Sequence, residues 1–304
     1  MKNNIITKIL KNPYLLFVHL GNAGLLNWMN DKLYLRLRFR AKLNKKPNFD
    51  SPKTFNEKLQ WLKLYDRRSK YVKMVDKYEA KQYTATIVGE DYIIPTLGVW
   101  KSFKEINFDM LPDQFVLKTT HDQGGVVICR DKSVFDKAEA KKKLAQHLRR
   151  NYFWPSREWP YKNVLPRIIA EKLIGDGFPS LCDYKFMCFN GKVRCTFVFA
   201  GRYSTAGIYG TIYNEKWEKL PFSRYNQSSN DNIPKPYNYE RMRILSERIA
   251  QDIPFLRVDW YEYNNHPFLG ELTFYPAGGF KKFMPDEWDM ILGGWLELPT
   301  KTGT

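Results

Sequence analysis

The sequence predicts an α+β fold of two lobes with a cleft between them. Three observations carry this expectation. The chain of 304 residues is 43% hydrophobic and 16% aromatic, enough to bury a substantial core and too rich in core-forming side chains for a disordered chain. Near residue 93 the texture changes from helical periodicity to short strands. From there the order is strands, a helix, mostly antiparallel strands, a helix and a final hairpin, which suits two layered units. The boundaries fall at 1–75 for a helical N-terminal segment, 76–167 for a first lobe and 168–304 for a second.

Residues 1–75 are basic and aromatic. Apolar residues run over 5–28, but Lys8, Lys11, Asn12, Pro13, His19 and Asn22 interrupt them, too often for a spanning helix. No small-residue cleavage site follows a compact apolar run, so a signal peptide is not expected. Arg36, Arg38, Arg40, Lys42, Lys45 and Lys46 come next. The segment therefore either lies on an anionic membrane surface or packs on the body as a helical lid. A turn at Ser51-Pro52-Lys53 leads into a helix, with Thr54 as N-cap and Glu57 three positions on in a capping-box pattern. Leu59, Leu62 and Tyr65 form its apolar stripe, and 71–86 continues as a second helix.

Strands follow at 93–95, 98–100, 114–119 and 126–129, then a long basic helix over 133–151 and a linker rich in Trp, Pro and Arg over 154–167. A new strand set begins at 168–173. Residues 183–189, 192–199 and 207–213 alternate like antiparallel strands, with Asn190-Gly191 as a hairpin turn between the first two. A helix over 238–253 precedes strands 256–263 and 268–273, joined by Asn264-Asn265.

The net charge is +17, concentrated over 32–46, 63–81 and 137–150. Such a surplus favours acidic partners: nucleic acid, anionic lipid, or an acidic polymer such as a uronate-rich glycan. Solvated helix faces would look the same. No helix-turn-helix, RNP or zinc signature appears, so no nucleic acid is expected. Cys129, Cys182, Cys188 and Cys195 form no CxxC pair and stand at no zinc-finger spacing, which reads as free thiols in a reducing compartment. The expected location is the cytoplasm, at the inner face of the membrane if the N-terminal segment touches lipid.

Three segments carry chemistry. In the last hairpin, alternation puts Arg257 and Asp259 on one face of a strand and Glu271 and Thr273 on one face of the next. If the hairpin closes around Asn264-Asn265, a cation, two carboxylates and a hydroxyl converge. Magnesium takes one or two carboxylates and fills its shell with phosphate oxygens and water; a surface salt-bridge cluster fits the same residues. Second, Lys118 ends a strand before the loop Thr119 to Gly125, whose amides at Gly124 and Gly125 suit phosphate oxygens, with the lysine as a point charge. An ordinary turn reads alike, and no Walker A pattern occurs. His121 either touches phosphate or caps that turn. Third, the strand Ile168 to Leu173 holds Glu171 and Lys172, and Asp183-Tyr184-Lys185 opens the next strand with two charges on one face. A strand edge of this kind reads adenine through its backbone, and a carboxylate reads ribose; an edge strand with a solvated face is the plainer account.

Taken in order, Asp76-Lys77, Val116-Leu117-Lys118, Ala170-Glu171-Lys172-Leu173, Asp183-x-Lys185, Arg257-x-Asp259 and Glu271-x-Thr273 resemble an ATP-grasp enzyme of the D-alanine–D-alanine ligase kind. Longer tracts are similar to the TupA-like ATP-grasp family, named for a teichuronopeptide synthesis protein. They are Thr54 to Trp61, Leu111 to Lys118, Arg157-Glu158-Trp159-Pro160-Tyr161-Lys162-Asn163, Asp183-Tyr184-Lys185-Phe186 and Gly270 to Pro276. The resemblance covers roughly residue 30 to the end and implies an ATP-grasp fold whose two lobes clasp ATP.

It further implies ATP and Mg2+ as cofactors, with Lys77 and Lys118 on the phosphates and Glu171, Lys172, Leu173 and Ile174 around the adenine, partly through backbone. Asp183 would lie near the ribose and Lys185 near a phosphate. Asp259 and Glu271 would hold magnesium, and Arg257 would face charge developing on an acyl-phosphate. Most ATP-grasp ligases place asparagine two residues after the glutamate; Thr273 stands here, a shorter ligand. The implied function is an ATP-dependent carboxylate–amine ligase acting on a uronic acid of a cell-surface polysaccharide with an amine donor. The alternative is a glycosyltransferase in capsule or cell-wall synthesis, but no two aspartates in the chain stand two residues apart, so the Asp-x-Asp motif of metal-dependent transferases is absent.

Overall fold

The computed structural model describes residues 13–175, 182–200, 209–224 and 233–300. Of the segments read above, 5–12, 176–177 and 207–208 lie outside the described residues. Four helices fill the N-terminal segment: α1 (Tyr14–Asn22), α2 (Asp31–Leu43), α3 (Phe55–Tyr65) and α4 (Lys70–Val75). Short polar side chains set the starts of α2 and α3. Asn30 accepts from the amides of Lys32 and Leu33 ahead of α2, and Asn44 ends that helix in the left-handed region at φ 58°. The capping box forms as expected: the Thr54 hydroxyl accepts from the Glu57 amide at 3.2 Å, and Glu57 accepts from the Thr54 amide at 3.1 Å.

The single helix expected over 71–86 is two helices, α4 and α5 (Glu79–Val88). The chain leaves helical geometry at Asp76, where ψ is 118°. The Asp76 carboxylate then accepts from the amides of Tyr78 and Glu79, capping α5. Helical propensity alone does not show this break, because Asp76 acts as a cap rather than as a helix interior.

The first sheet contains β1 (Thr96–Trp100), β2 (Phe115–Thr119), β3 (Val126–Cys129) and β4 (Ile168–Lys172), in the order β1-β4-β2-β3 and antiparallel throughout. Ile168 to Lys172, expected to open the second lobe, instead pairs with β1 and β2; the switch between sheets comes after Lys172. Residues 93–95 form no strand, and Ile93 makes only an isolated bridge to Leu269. The basic helix is shorter than 133–151. It runs as α6 (Lys137–Leu148), capped by Asp136, and buries Ala140 and Leu144 against the sheet. Phe115, Leu117, Ile168 and Ala170 complete this small core.

A short helix α7 (Phe153–Ser156) precedes the second sheet. That sheet contains β5 (Asp183–Phe189), β6 (Lys192–Ala200), β7 (Tyr209–Asn214), β8 (Phe255–Tyr263) and β9 (His266–Thr273), in the order β7-β6-β5-β8-β9, again antiparallel. Asn190 and Gly191 have φ of 48° and 79°, and Asn264 and Asn265 have 51° and 57°. Two consecutive left-handed residues suit tight hairpin turns, so both expected hairpins close. Helix α8 (Tyr239–Ile249) packs its Tyr239 on Phe186, 5.4 Å between rings. Phe55 of α3 meets Phe255 and Phe189 at 4.9 and 5.6 Å, and α9 (Glu287–Trp295) covers the same end through Trp295 on Phe189. Each aromatic so buried contributes about 1.5–3 kcal/mol through area alone. Cys129, Cys188 and Cys195 are buried free thiols, and Cys182 is a half-buried one. Among the described residues no helix is long and apolar enough to cross a membrane.

Candidate active site

The second sheet supplies one wall. Across β5, β8 and β9 the register sets Lys185 opposite Asp259 and Asp259 opposite Glu271; one step along, Arg257 stands opposite Thr273. The convergence expected of the hairpin is therefore real, and Asp183 joins it from β5. The register then shifts: Trp260 pairs with Leu269, leaving Gly270 as an extra residue in β9. A Cβ at Gly270 would come within 2.6 Å of the Tyr261 ring, so only glycine fits there.

The ion pairs on this wall are close. Arg257 holds Asp259 with two parallel bonds, Nε to Oδ1 at 2.6 Å and Nη2 to Oδ2 at 2.7 Å. Lys185 bridges Asp183, at 2.7 Å, and Asp259. Burial opposes the charge on Arg257, but Asp259 outweighs it and raises the guanidinium's pKa. Burial likewise pushes the Asp259 carboxyl up, and Arg257 with Lys185 brings it below the ordinary carboxylate range. Two groups are left over. The buried Thr273 hydroxyl has no hydrogen-bond partner among the described residues, and the Glu271 carboxylate makes no ion pair or hydrogen bond among them.

The first sheet supplies the other wall. Lys118 on β2 pairs with Glu171 on β4, and Lys81 of α5 pairs with the same carboxylate at 3.0 Å. Burial alone would raise the Glu171 pKa; the two lysines outweigh it and bring it to about 2. Glu171 is thus the counter-ion of two lysines. Lys77 sits at the helix break. Its amide donates to the Thr120 carbonyl at 3.0 Å and its ammonium to the Asp122 carbonyl. Burial lowers the Lys77 pKa, while Glu271 and Asp122 work against that.

The loop after β2 is braced from beneath. Thr119 and His147 both hold the Asp122 carboxylate, and the Thr119 amide donates to the Gly125 carbonyl at 2.8 Å. A Cβ at Gly125 would fall 1.9 Å from the Thr119 hydroxyl, which makes glycine obligatory. The amides of Gln123 and Gly124 donate to no protein group among the described residues. His121 faces away from the cavity; it is buried and donates from Nε2 to the Arg150 carbonyl at 3.0 Å, so it anchors the loop. Burial lowers its pKa.

These walls enclose a cavity of about 530 Å³. Of the residues expected from sequence, Lys77, Lys118, Gly124, Glu171, Asp183, Lys185, Arg257, Asp259, Glu271 and Thr273 line it. His121 and Gly125 do not. Lys172, Leu173 and Ile174 line a separate, mostly apolar cavity of about 290 Å³ with Pro95, Tyr263, His266 and Phe268. Sequence reading missed Lys81, Lys143, Gln123 and Tyr261. Lys81 had one available signal: it stands four residues after Lys77, and helical spacing puts the two on one face.

A family model described as TupA-like ATPgrasp matches residues 57–297, well over half of the chain. The chain belongs to the TupA-like ATP-grasp family. The family description places the chain among ATP-grasp proteins. No curated protein matches the chain. Among solved structures, the D-alanine–D-alanine ligase from Bacillus anthracis complexed with ATP is 18% identical, covering 66% of this chain and 53% of its own, with a TM-score of 0.38. The chain thus spans about half the length of that ligase. The D-alanine–D-alanine ligase from Helicobacter pylori is 16% identical over 80% of this chain and 69% of its own, TM-score 0.39. A RimK domain ATP-grasp protein from Sphaerobacter thermophilus is 11% identical over 76% and 70%, TM-score 0.40. The family match, not these distant likenesses, decides the assignment.

The residues present fit both cofactors of an ATP-grasp protein. A polyphosphate needs cations and free amides, and Lys77, Lys118, Lys185, Arg257 and the amides of Gln123 and Gly124 face one space. Among the described residues no three His, Cys, Asp or Glu side chains converge to hold a metal alone. That suits an ion arriving with its nucleotide, since magnesium keeps phosphate oxygens and waters in its shell. Glu271 would be the acidic ligand, Asp259 retains lone pairs beside its cations, and the Thr273 hydroxyl is a buried oxygen without a partner among the described residues.

Proposed function

We propose that this protein is a carboxylate–amine ligase, and that its carboxylate substrate is a uronic acid of a cell-surface polysaccharide joined to an amino acid or another amine. The observation that supports this reading is the cavity itself. It gathers five cationic side chains and four carboxylates with a buried unpartnered hydroxyl, and among the described residues no Ser, Cys or His lines it. A site so built has no covalent nucleophile with its base; it positions charged reactants and neutralises developing charge.

ATP with Mg2+ supplies the phosphoryl group that turns the carboxylate into an acyl-phosphate, after which the amine takes the acyl carbon, loses a proton and releases phosphate. The chain's residues do the rest. Lys77, Lys118 and the loop amides bind phosphate oxygens. Arg257, held in place by Asp259, presents its remaining guanidinium edge to charge that grows on the substrate. Glu271 is the acidic group that fixes the metal's place. The apolar cavity at Leu173 and Ile174 suits a flat adenine, read through strand-edge backbone. The exposed lysines of α6, Lys137, Lys141, Lys142 and Lys143, flank the site and favour an acidic glycan, with Lys143 on the cavity wall.

The test is phosphate release with uronic acids crossed against amino acids in the presence of ATP and magnesium. Phosphate release that requires both partners supports the reading. Transfer from a nucleotide-sugar, with no response to ATP, sinks it.

A further inference from the structure

The hairpin of α1 and α2 exposes several large apolar side chains. Leu16, Leu25, Trp28 and Leu33 are exposed by 48, 62, 80 and 50%. One exposed leucine means nothing, but a cluster of large apolar side chains rimmed by charge marks an interaction surface. The rim is basic. Leu33, Arg36 and Arg40 follow one another at helical spacing on α2, all exposed, so the apolar tip runs into a cationic stripe on one face. Residues 1–30 contain no Asp or Glu. Nearby, Asp31 is held by Arg67 and Arg157, and Asp50 lies beside Lys32 and Arg36.

Two details make this a built surface. The indole N–H of Trp28 donates to the Leu25 carbonyl at 3.2 Å, so the ring can enter an apolar medium with its polar atom already satisfied. The hairpin is also fixed to the body. Arg157, 1% exposed, stacks 4.3 Å from the Tyr34 ring and donates to the Leu26 carbonyl at 3.0 Å. Tyr34 in turn donates to the Pro155 carbonyl at 3.1 Å. The body is thus held still behind an outward row of leucine and tryptophan.

We propose that this hairpin docks the protein on an anionic lipid bilayer. Leu16, Leu25, Trp28 and Leu33 enter the boundary between headgroups and acyl chains, and Arg36 and Arg40 meet lipid phosphates. Charge selects this occupant over a second copy of the chain. A second copy would set the same cations against each other, whereas a bilayer brings the phosphates they lack. The inference is independent of the ligase reading.

Vesicle flotation of the full chain tests it, with phosphatidylcholine vesicles and with phosphatidylcholine mixed with phosphatidylglycerol. The mixed vesicles should bind roughly 25-fold more tightly, since each of Arg36 and Arg40 near an anionic surface adds about fivefold. The double variant Leu25→Asp/Trp28→Asp should lose roughly tenfold or more, with an unchanged thermal midpoint. Arg36→Glu/Arg40→Glu should erase the preference for anionic lipid. Brominated acyl chains should quench tryptophan fluorescence in the native chain and not in Trp28→Ala, which decides the matter should the double variant fail to fold. Failure to bind mixed vesicles overturns the proposal. So does binding that survives the double variant, which is adsorption by charge alone, or lipid-free self-association abolished by Trp28→Ala with no vesicle binding, which makes the patch a contact between copies.

Discussion

Two groups of cations among the described residues are used differently. Under α3, Lys63 is fully buried and donates to Gln60 Oε1 at 2.9 Å and to the carbonyls of Ser156 and Gly278 at 2.9 and 2.7 Å. The Phe280 ring lies 4.5 Å from its ammonium. Burial lowers its pKa to about 7, with Glu158 opposing. Around the cavity, Lys118 and Lys185 are paired with carboxylates on neighbouring strands, and Arg257 with Asp259 of its own strand. Perturbed ionisation is often taken to mark a functional site, and by that measure Lys63 would rank high. Yet its three protons have three protein acceptors and nothing is left for a ligand. What sets the cavity apart is unspent bonding capacity: the Thr273 hydroxyl, the Glu271 carboxylate and two loop amides, all facing open space.

Removing a member of the closed cluster should therefore damage the fold, and removing one from the open cluster should damage function. The largest effect is expected at Lys63→Met, which leaves Gln60 Oε1 and the Ser156 carbonyl without a donor and should reduce stability by about 3–5 kcal/mol. Denaturant unfolding measures it; a near-neutral result would mean that the cluster is not closed. Next is Glu271→Gln, which keeps the shape and removes one charge. Turnover should fall on the order of a hundredfold or more, with little change in melting, because the metal matters most where charge shifts. Near-normal turnover would reduce the hairpin to a salt-bridge cluster.

Lys118→Ala should weaken ATP binding by on the order of 1.5–3 kcal/mol, the size of a charge-assisted contact. Calorimetry with magnesium present tests this, and unchanged affinity removes Lys118 from the phosphate site. Acid titration probes the same pair. The Glu171 carboxyl is at about 2 in the folded protein, below its ordinary value in an unfolded chain. Its stabilisation is complete above the unfolded value and is lost as pH falls through that value towards 2. Glu171→Gln should flatten this acid limb; an unaltered limb would mean that other groups set it. The smallest effect is expected at Thr273→Asn, about 0.5–1.5 kcal/mol or one net hydrogen bond, with an equal or lower magnesium requirement. Loss of all activity would give the threonine a role of its own.

Much of the second sheet was legible because its signals are local. Asn190-Gly191 and Asn264-Asn265 name their turns, and alternation then fixes which of Arg257, Asp259, Glu271 and Thr273 share a face. The capping box at Thr54 and Glu57 was equally short-range. What sequence reading missed depends on distant pairing. Ile168 to Lys172 looks like any β-branched strand, and nothing within it says that its partners are β1 and β2. The helix break at Asp76 is stabilised by Arg167, 2.7 Å from its carboxylate and far along the chain. Lys81 and Lys63 sit in charge runs that read as solvated faces, and only the fold brings Glu171 to one and three acceptors to the other. His121 stood in the right loop, but its neighbour Asp122 and the Arg150 carbonyl determine which way it faces.

The extra residue at Gly270 gives the last hairpin two phases. Outside it, Trp260 with Leu269 and Tyr263 with His266 count in one phase; inside it, Asp259 with Glu271 and Arg257 with Thr273 count in the other. Strand faces alternate with period two, and because the added residue is taken up within the bulge the inner pairs keep their faces. The hairpin's outer end, including the Asn264-Asn265 turn, is thereby uncoupled from the inner end. Insertions or deletions of paired residues beyond Gly270 change the length of the arm and leave the inner frame intact. Loss of Gly270, with the outer pairs kept, removes the bulge and still leaves Glu271 opposite Asp259 and Thr273 opposite Arg257.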